Sequence, residues 1–153
     1  MKSYIYFMEY RIFDKKNPPL EVLKLKTSDE QKFFLDPLEV ILKEYGDVDQ
    51  WKALSIHLNS TEPPIGFAII GSFGSDDTWI DDIMIDKAYQ GKGYGTRAIK
   101  YLVNYLIENY HVDHIYLSCY KENTKALSLY QKLGFKITDK LDENGEIILV
   151  YNR

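Results

Sequence analysis

The chain has 153 residues and a mass of 17.9 kDa, with 45% hydrophobic and 27% charged residues. At ~150 residues per domain, this length predicts a single domain over residues 1–153. Nineteen basic and 23 acidic residues give a formal net charge of −4. This balance argues against nucleic acid as the main partner, because phosphate binding needs a basic face. One cysteine, Cys119, excludes an internal disulfide framework.

The N-terminal segment holds a short aromatic run that Glu9 and Arg11 interrupt, too short for the apolar region of a signal peptide. No apolar stretch approaches the ~20 residues needed to span a membrane. We therefore expect a soluble, cytoplasmic protein without a membrane partner. Sixteen lysines against three arginines favour an AT-rich bacterial genome as its source.

The first half of the chain predicts one strand, two short helices and three more strands. Aromatic and β-branched residues indicate the first strand over Tyr4–Phe13. Residues 17–45 indicate two helices, because Asn17-Pro18 and Asp36-Pro37 are typical helix starts. Leu20 and Leu23 are expected to face inward. Strand patterns then follow over residues 53–58, 65–73 and 79–86, and their short loops imply an antiparallel meander.

The second half predicts alternating helices and strands. Apolar residues from Ala98 to Tyr110 form one helical stripe, and a strand follows over Ile115–Tyr120. Asn123 and Gly134 fit the start and end of a second helix. Asn144-Gly145 between two apolar runs is a strong hairpin signal. The fold class is therefore α/β (α+β): a mixed, mostly antiparallel sheet of about seven strands with a central parallel β-α-β crossover. The predicted element order is β-α-α-β-β-β-α-β-α-β-β.

A glycine-rich segment, residues 90–96 (QGKGYGT), lies between a predicted strand and a predicted helix. Free N–H groups at a helix start and flexible glycines can together cradle a phosphate or pyrophosphate. The alternative is a glycine-rich turn without a ligand. The spacing excludes a Walker loop, since Lys92 is followed by Gly93, and a dinucleotide fingerprint, since Gly95 comes one residue early.

Two motifs resemble those of the GNAT superfamily of N-acetyltransferases. Gln90-x-x-Gly93-x-Gly95 is similar to its acetyl-CoA signature, and the segment from Asn123 through Tyr130 to Gly134-Phe135 is similar to its second signature. The predicted element order also matches the superfamily fold. A closer resemblance links residues 66–68, 89–93, 115–118 and 141–146 to the bacterial Blt-type spermine/spermidine acetyltransferases.

The resemblance implies direct acetyl transfer from acetyl-CoA to a primary amine of a small polycationic acceptor, with spermidine or spermine favoured. No metal is expected. The enzyme alternatives are a protein N-terminus, an amino acid or an aminoglycoside as the acceptor. The alternative from another class is a non-catalytic acetyl-CoA-binding module.

The resemblance also implies roles for individual residues. Tyr130 would protonate the leaving thiolate, although the same spacing suits a core aromatic residue. Asp81 and Asp82 are the candidates for the base, and strand alternation predicts that only one of them enters the active site. The resemblance favours Asp81. The alternative for them is a solvated acidic edge. The residues expected to bind the cofactor are Ile83, Met84, Ile85, Gln90, Gly91, Lys92, Gly93, Tyr94, Gly95, Thr96, Asn123 and Tyr130.

No catalytic role is expected for the remaining candidate residues. The three histidines lack metal-ligand spacing and are expected at the surface or in turns. Cys119 is expected in the middle of a strand as a small core residue. The segment Ile147–Tyr151 could form an edge strand suited to pairing with a second copy, so a homodimer is possible.

Overall fold

The computed structural model describes residues 7–26 and 38–153, in which seven strands and four α-helices are found. In chain order they are β1 (Glu9–Phe13), α1 (Leu20–Leu23), α2 (Leu38–Tyr45), β2 (Trp51–His57), β3 (Pro64–Ser72), β4 (Thr78–Ile85), α3 (Tyr94–Tyr110), β5 (His114–Cys119), α4 (Thr124–Lys132), β6 (Lys136–Leu141) and β7 (Ile147–Asn152). A short 3₁₀ turn, Lys87–Tyr89, lies between β4 and α3. This order confirms the one predicted from the sequence.

The strands form one sheet in the order β1-β2-β3-β4-β5-β7-β6. Among the strands of the described residues, only β4 and β5 pair in parallel, and α3 connects them, as the crossover prediction required. The other neighbours pair antiparallel. The mixed α/β fold class is confirmed.

Alternate residues of the central strands pack into two separate hydrophobic cores. Leu54 of β2 and Ala68 of β3 belong to the core that also contains the buried stripe of α3. Ala53 and Phe67, their neighbours in the chain, belong to a second core with α1 and α2. Successive strand residues point to opposite faces of a sheet, so helices cover both faces of this one.

The N-terminal predictions are partly wrong. Residues 4–6 of the predicted first strand and the predicted helix start at Asp36-Pro37 lie outside the described residues. The first helix is one turn that begins at Leu20 after Pro19. Leu20 is 74% exposed, whereas Val22 is 1% exposed. The prediction placed Leu20 inward, but in so short a helix contact with the sheet decides which side chain is buried.

The segment Ile147–Tyr151 is not at the sheet edge, contrary to the prediction. Strand β7 pairs with β5 from His114↔Asn152 to Cys119↔Ile147, and with β6 on its other side. The hairpin at Gly145, where φ is +82°, returns the chain between two strands. Strand β6 is the edge instead, so pairing through β7 does not support a homodimer.

His57 was expected at the surface, and this is wrong too. Its side chain is 4% exposed in β2, where its ring nitrogens lie 2.8 Å from Ser55 Oγ and 3.0 Å from the Glu62 carbonyl oxygen. Cys119 is buried as expected, but it ends β5. Within the described part of the chain, no helix is long and apolar enough to cross a membrane.

Candidate active site

A cleft of about 1190 Å³ lies where β4 and β5 separate. The two parallel strands pair at Trp79↔Tyr116 and at no later position among the described residues. Beyond that pair, residues of both strands line the cleft, together with α4, the segment after β4 and the β6–β7 hairpin. The separation therefore leaves one edge of β4 open beside a cavity.

A β-bulge in β4 brings two carboxylates together. Ile80 pairs with Ile70 of β3 and Asp82 pairs with Ile69, so Asp81 is an inserted residue without a partner on β3. Both aspartates line the cleft. The prediction that only one of them enters it assumed regular alternation, and the bulge removes that alternation.

Tyr45, the last residue of α2, contacts both carboxylates. Its hydroxyl oxygen lies 2.7 Å from Asp82 Oδ2 and also makes a hydrogen bond with Asp81 Oδ2. Burial raises the pKa of Asp81, and the hydrogen bond from Tyr45 opposes this rise. Burial and the two carboxylates raise the pKa of Tyr45, so its hydroxyl keeps its proton. The sequence pattern identified Tyr45 only as the end of the predicted helical segment 17–45.

Helix α4 brings Tyr130 to the opposite side of the cleft. The Asn123 side chain caps this helix by accepting a hydrogen bond of 3.4 Å from the Ala126 N–H, as predicted. The Tyr130 ring packs against Phe135 with 6.2 Å between centroids. Burial raises the pKa of Tyr130, and nearby Cys119, Asp82 and Glu146 raise it further. The phenol is therefore protonated at neutral pH and can donate a proton.

The β6–β7 hairpin adds a second group of acidic side chains to the cleft. Asp142 Oδ1 accepts hydrogen bonds of 2.9 Å from the N–H groups of Asn144 and Glu146. Asp142 Oδ2 accepts one of 3.1 Å from the Ser118 hydroxyl of β5. Burial raises the pKa of Glu146 to about 7, and Asp142 is the next largest cause. In the sequence, Glu146 belongs to the segment 141–146 that carries part of the family resemblance, and no role was predicted for it.

The glycine segment ends in the first turn of α3. Gly91 and Gly93 adopt φ values of +76° and +84°, and a Cβ at either position would meet open space. The Arg97 N–H makes the first helical hydrogen bond, to the Gly93 carbonyl oxygen, so three N–H groups precede it. This arrangement suits an anion at the start of the helix.

The predicted cofactor residues fall into two sets, those that line the cleft and those that do not. Ile83, Met84 and Ile85 line the cleft on β4. Gln90, Gly91, Gly95, Asn123 and Tyr130 also line it. Lys92, Gly93, Tyr94 and Thr96 belong to the same loop and first helical turn without lining the cleft. The Gln90 side chain donates a hydrogen bond of 2.8 Å to the Ile85 carbonyl oxygen, so it ties the loop to the end of β4.

The cleft is strongly acidic. Among its described lining residues, one lysine, Lys125, stands against seven acidic side chains: Glu44, Asp77, Asp81, Asp82, Asp142, Glu143 and Glu146. No group of three or more His, Cys, Asp or Glu within residues 7–26 and 38–153 is arranged to hold a metal ion. Such a lining favours a cationic ligand.

Comparisons with known proteins agree with this geometry. The sequence profile of the Acetyltransferase (GNAT) family matches residues 20–135. The chain belongs to this family. It is therefore an acyltransferase, and its seven-stranded sheet is the fold of GNAT structures.

Two curated GNAT relatives cover most of the chain. A protein of Bacillus subtilis subsp. natto described as a probable spermine N(1)-acetyltransferase is 34% identical over 136 residues, which are 84% of this chain and 88% of the relative. The spermine/spermidine N(1)-acetyltransferase of Bacillus subtilis strain 168 is 33% identical over 136 residues, which are again 84% of this chain and 88% of the relative. A GNAT acetyltransferase from Elizabethkingia anophelis, solved with acetyl-CoA bound, superposes with a TM-score of 0.67 at 18% identity, covering 95% of this chain and 98% of the other.

Proposed function

We propose that this GNAT protein transfers an acetyl group directly from acetyl-CoA to a primary amine of a small polycationic acceptor, with spermidine or spermine favoured. The observation that carries the proposal is the acidic cleft beside the glycine loop. A polyamine carries several ammonium groups, and carboxylates spaced along a cleft can bind them together. The names of the two Bacillus relatives support the same acceptor class.

The proposed cofactor site fits acetyl-CoA, which supplies the acetyl group as a thioester. The positive-φ glycines allow close approach to the pyrophosphate, and the N–H groups of Tyr94, Gly95 and Thr96 point along the helix start toward it. The open edge of β4 at residues 83–85 offers backbone groups to an extended pantetheine arm. The Asn123 side-chain oxygen caps α4, and its amide N–H₂ group would donate to the pantetheine arm.

The catalytic roles proposed for the cleft residues follow from their environments. Tyr130 is a protonated phenol, so it can supply the proton that the leaving thiolate needs. Asp81 and Asp82 present two carboxylates at one point, which suits the binding of an ammonium group. Burial raises the pKa of the Cys119 thiol to about 11, so this residue is a poor nucleophile and direct transfer is favoured.

The test measures thiol release from acetyl-CoA with four acceptors: spermidine, spermine, butylamine and aspartate. We expect the two polyamines to have kcat/KM values about 10²-fold or more above that of butylamine, because additional ammonium groups meet additional carboxylates. Aspartate should give no turnover. Equal values for spermidine and butylamine would contradict the polyamine assignment while leaving the acetyltransferase intact.

Two variants test the assigned residues in the same assay. Tyr130→Phe should lower kcat about 10²-fold, within the usual range for loss of a general acid, while acetyl-CoA binding is retained. Asp81→Asn should mainly raise KM for spermidine. Tight acetyl-CoA binding by the wild type without turnover on any amine would support a non-catalytic module instead.

A further inference from the structure

A carboxylate on the β6–β7 hairpin has a position that the assigned roles do not use. Glu146 directly precedes β7, whose first residue, Ile147, pairs with Cys119 at the end of β5. Its side chain lines the cleft together with Tyr130. The hairpin therefore brings a carboxylate next to the end of β5, at the proposed site of acetyl transfer.

The hairpin holds Glu146 firmly. Its N–H donates to Asp142 Oδ1 and its carbonyl oxygen accepts a hydrogen bond of 2.9 Å from the Asp142 N–H. Ser118 connects the same Asp142 side chain to β5. The Asp142 carboxylate accepts the hydrogen bonds from the Glu146 N–H and from the Ser118 hydroxyl. It also forms a side-chain hydrogen bond with the Glu146 carboxyl, which is the donor when it is protonated.

The two aspartates of β4 are in a different situation. Both contact the Tyr45 hydroxyl, which occupies an oxygen of each. Glu146 shares its surroundings with other carboxylates instead, and its side chain forms a hydrogen bond with Asp142. The titratable groups that face it come from four elements: Asp142 on its own hairpin, Asp81 and Asp82 on β4, Cys119 on β5 and Tyr130 on α4.

We propose that Glu146 is a catalytic residue that accepts the proton of the acceptor ammonium before acetyl transfer. This inference rests on the proposed function. It gives Asp81 and Asp82 the task of binding the ammonium group and gives proton removal to the hairpin. A carboxyl that titrates near neutral pH suits a general base, and burial among carboxylates places the pKa of Glu146 at about 7.

The reaction then balances. The ammonium gives one proton to the Glu146 carboxylate, and the free amine nitrogen attacks the carbonyl carbon of the thioester. The N–C bond forms and the C–S bond breaks, and the sulfur leaves with the electron pair. The thiolate takes a proton from Tyr130, and the nitrogen's second proton restores the phenol. Glu146 later releases its proton to water, so the products are the amide, the free thiol and one proton.

The kinetic test compares the wild type with Glu146→Gln between pH 5.5 and 9.5, using acetyl-CoA and spermidine. Glu108→Gln is the matched control, because it makes the same change on the exposed side of α3, away from the cleft. We expect kcat of the wild type to fall below about pH 7. Glu146→Gln should lose about 10²-fold or more in kcat at pH 7, with KM for spermidine changed less than threefold. The loss should shrink toward pH 9.5, where more acceptor is already deprotonated.

Two kinetic results would overturn the proposal and leave the proposed function standing. One is a Glu146→Gln enzyme with the kcat and pH profile of the wild type. The other is a variant in which only KM rises, since this would make Glu146 a binding residue. The control should match the wild type throughout, and calorimetric titration with acetyl-CoA should show that the variant retains its cofactor site.

A second measurement does not depend on the acceptor. The carboxyl carbons of the glutamates, labelled with ¹³C, are titrated by NMR in the wild type and in Glu146→Gln. A resonance that titrates near pH 7 and is missing from the variant supports the proposal, even if spermidine is not acetylated. Titration of every glutamate below pH 5.5 refutes it. Absence of turnover by the wild type with spermidine would instead count against the acceptor assignment alone.

Discussion

Replacement of Glu146 by glutamine should stabilise the fold at alkaline pH. The pKa of Glu146 rises from its ordinary value of 4.5 to about 7, because the carboxyl is partly buried beside Asp142. Below pH 4.5 the group is protonated in both the folded and the unfolded chain. Between 4.5 and 7 only the unfolded chain releases the proton, so the free energy of unfolding decreases as the pH rises. Glutamine cannot ionise and removes this decrease.

The magnitude follows from the pKa. A rise from 4.5 to about 7 corresponds to at most ~3.4 kcal/mol, at ~1.36 kcal/mol per pH unit. Glu146 is only partly buried, and solvent screening reduces this value. We therefore expect the free energy of unfolding of the variant, relative to that of the wild type, to increase by about 1–2 kcal/mol from pH 5 to pH 8. Glutamine also keeps a hydrogen-bond donor toward Asp142.

The assay is urea unfolding at pH 5 and pH 8, followed by circular dichroism, for the wild type, Glu146→Gln and Glu108→Gln. The Glu108 variant should follow the pH dependence of the wild type. Equal stability differences at the two pH values for Glu146→Gln would show that its carboxyl ionises alike in the folded and unfolded chain. That result would refute the electrostatic account of the hairpin.

Three further substitutions test residues that hold the elements around the cleft in place. In Gly71→Ala, the new Cβ would lie 2.4 Å from Trp51 Cε3, so we expect a loss of about 1–3 kcal/mol in urea unfolding. Tyr45→Phe removes the hydrogen bond that lowers the pKa of Asp81, so this pKa should rise further and KM for spermidine should increase more at low pH than at high pH. Lys15→Met leaves the carbonyl oxygens of residues 45, 48 and 51 without their shared ammonium donor, and unfolding should require about 1–3 kcal/mol less.

Local chemistry made much of the fold predictable. Asn144-Gly145 predicted the β6–β7 hairpin, and Gly145 does adopt a positive φ. Asn123 predicted the start of α4, and its side chain caps that helix. Sheet order was less accessible, because the pattern of residues 147–151 describes a strand but not its neighbours. Pairing on both sides of β7 depends on contacts between distant segments.

The cleft residues were partly predictable. Asp81 and Tyr130 were identified through the family resemblance and Asp82 as the adjacent carboxylate, and the structure places all three at the cleft. Tyr45 was missed, since nothing in its helical pattern indicates that its hydroxyl reaches β4. Glu146 carried a detectable signal, an acidic residue after a hairpin turn, but such residues are usually solvated. Only the return of β7 beside β5 brings it to the cleft.

Two features of the candidate site lie where the sheet departs from regularity. The bulge at Asp81 places two carboxylates together, the separation of β4 from β5 opens the cleft, and the hairpin adds Glu146. A regular strand would direct Asp81 and Asp82 to opposite faces. Paired strands would close the edge of β4. The carboxylate pair of β4 is thus produced by a backbone irregularity, and substitutions that change the local pairing of β4 should affect acceptor binding as strongly as substitutions of Asp81 and Asp82 themselves.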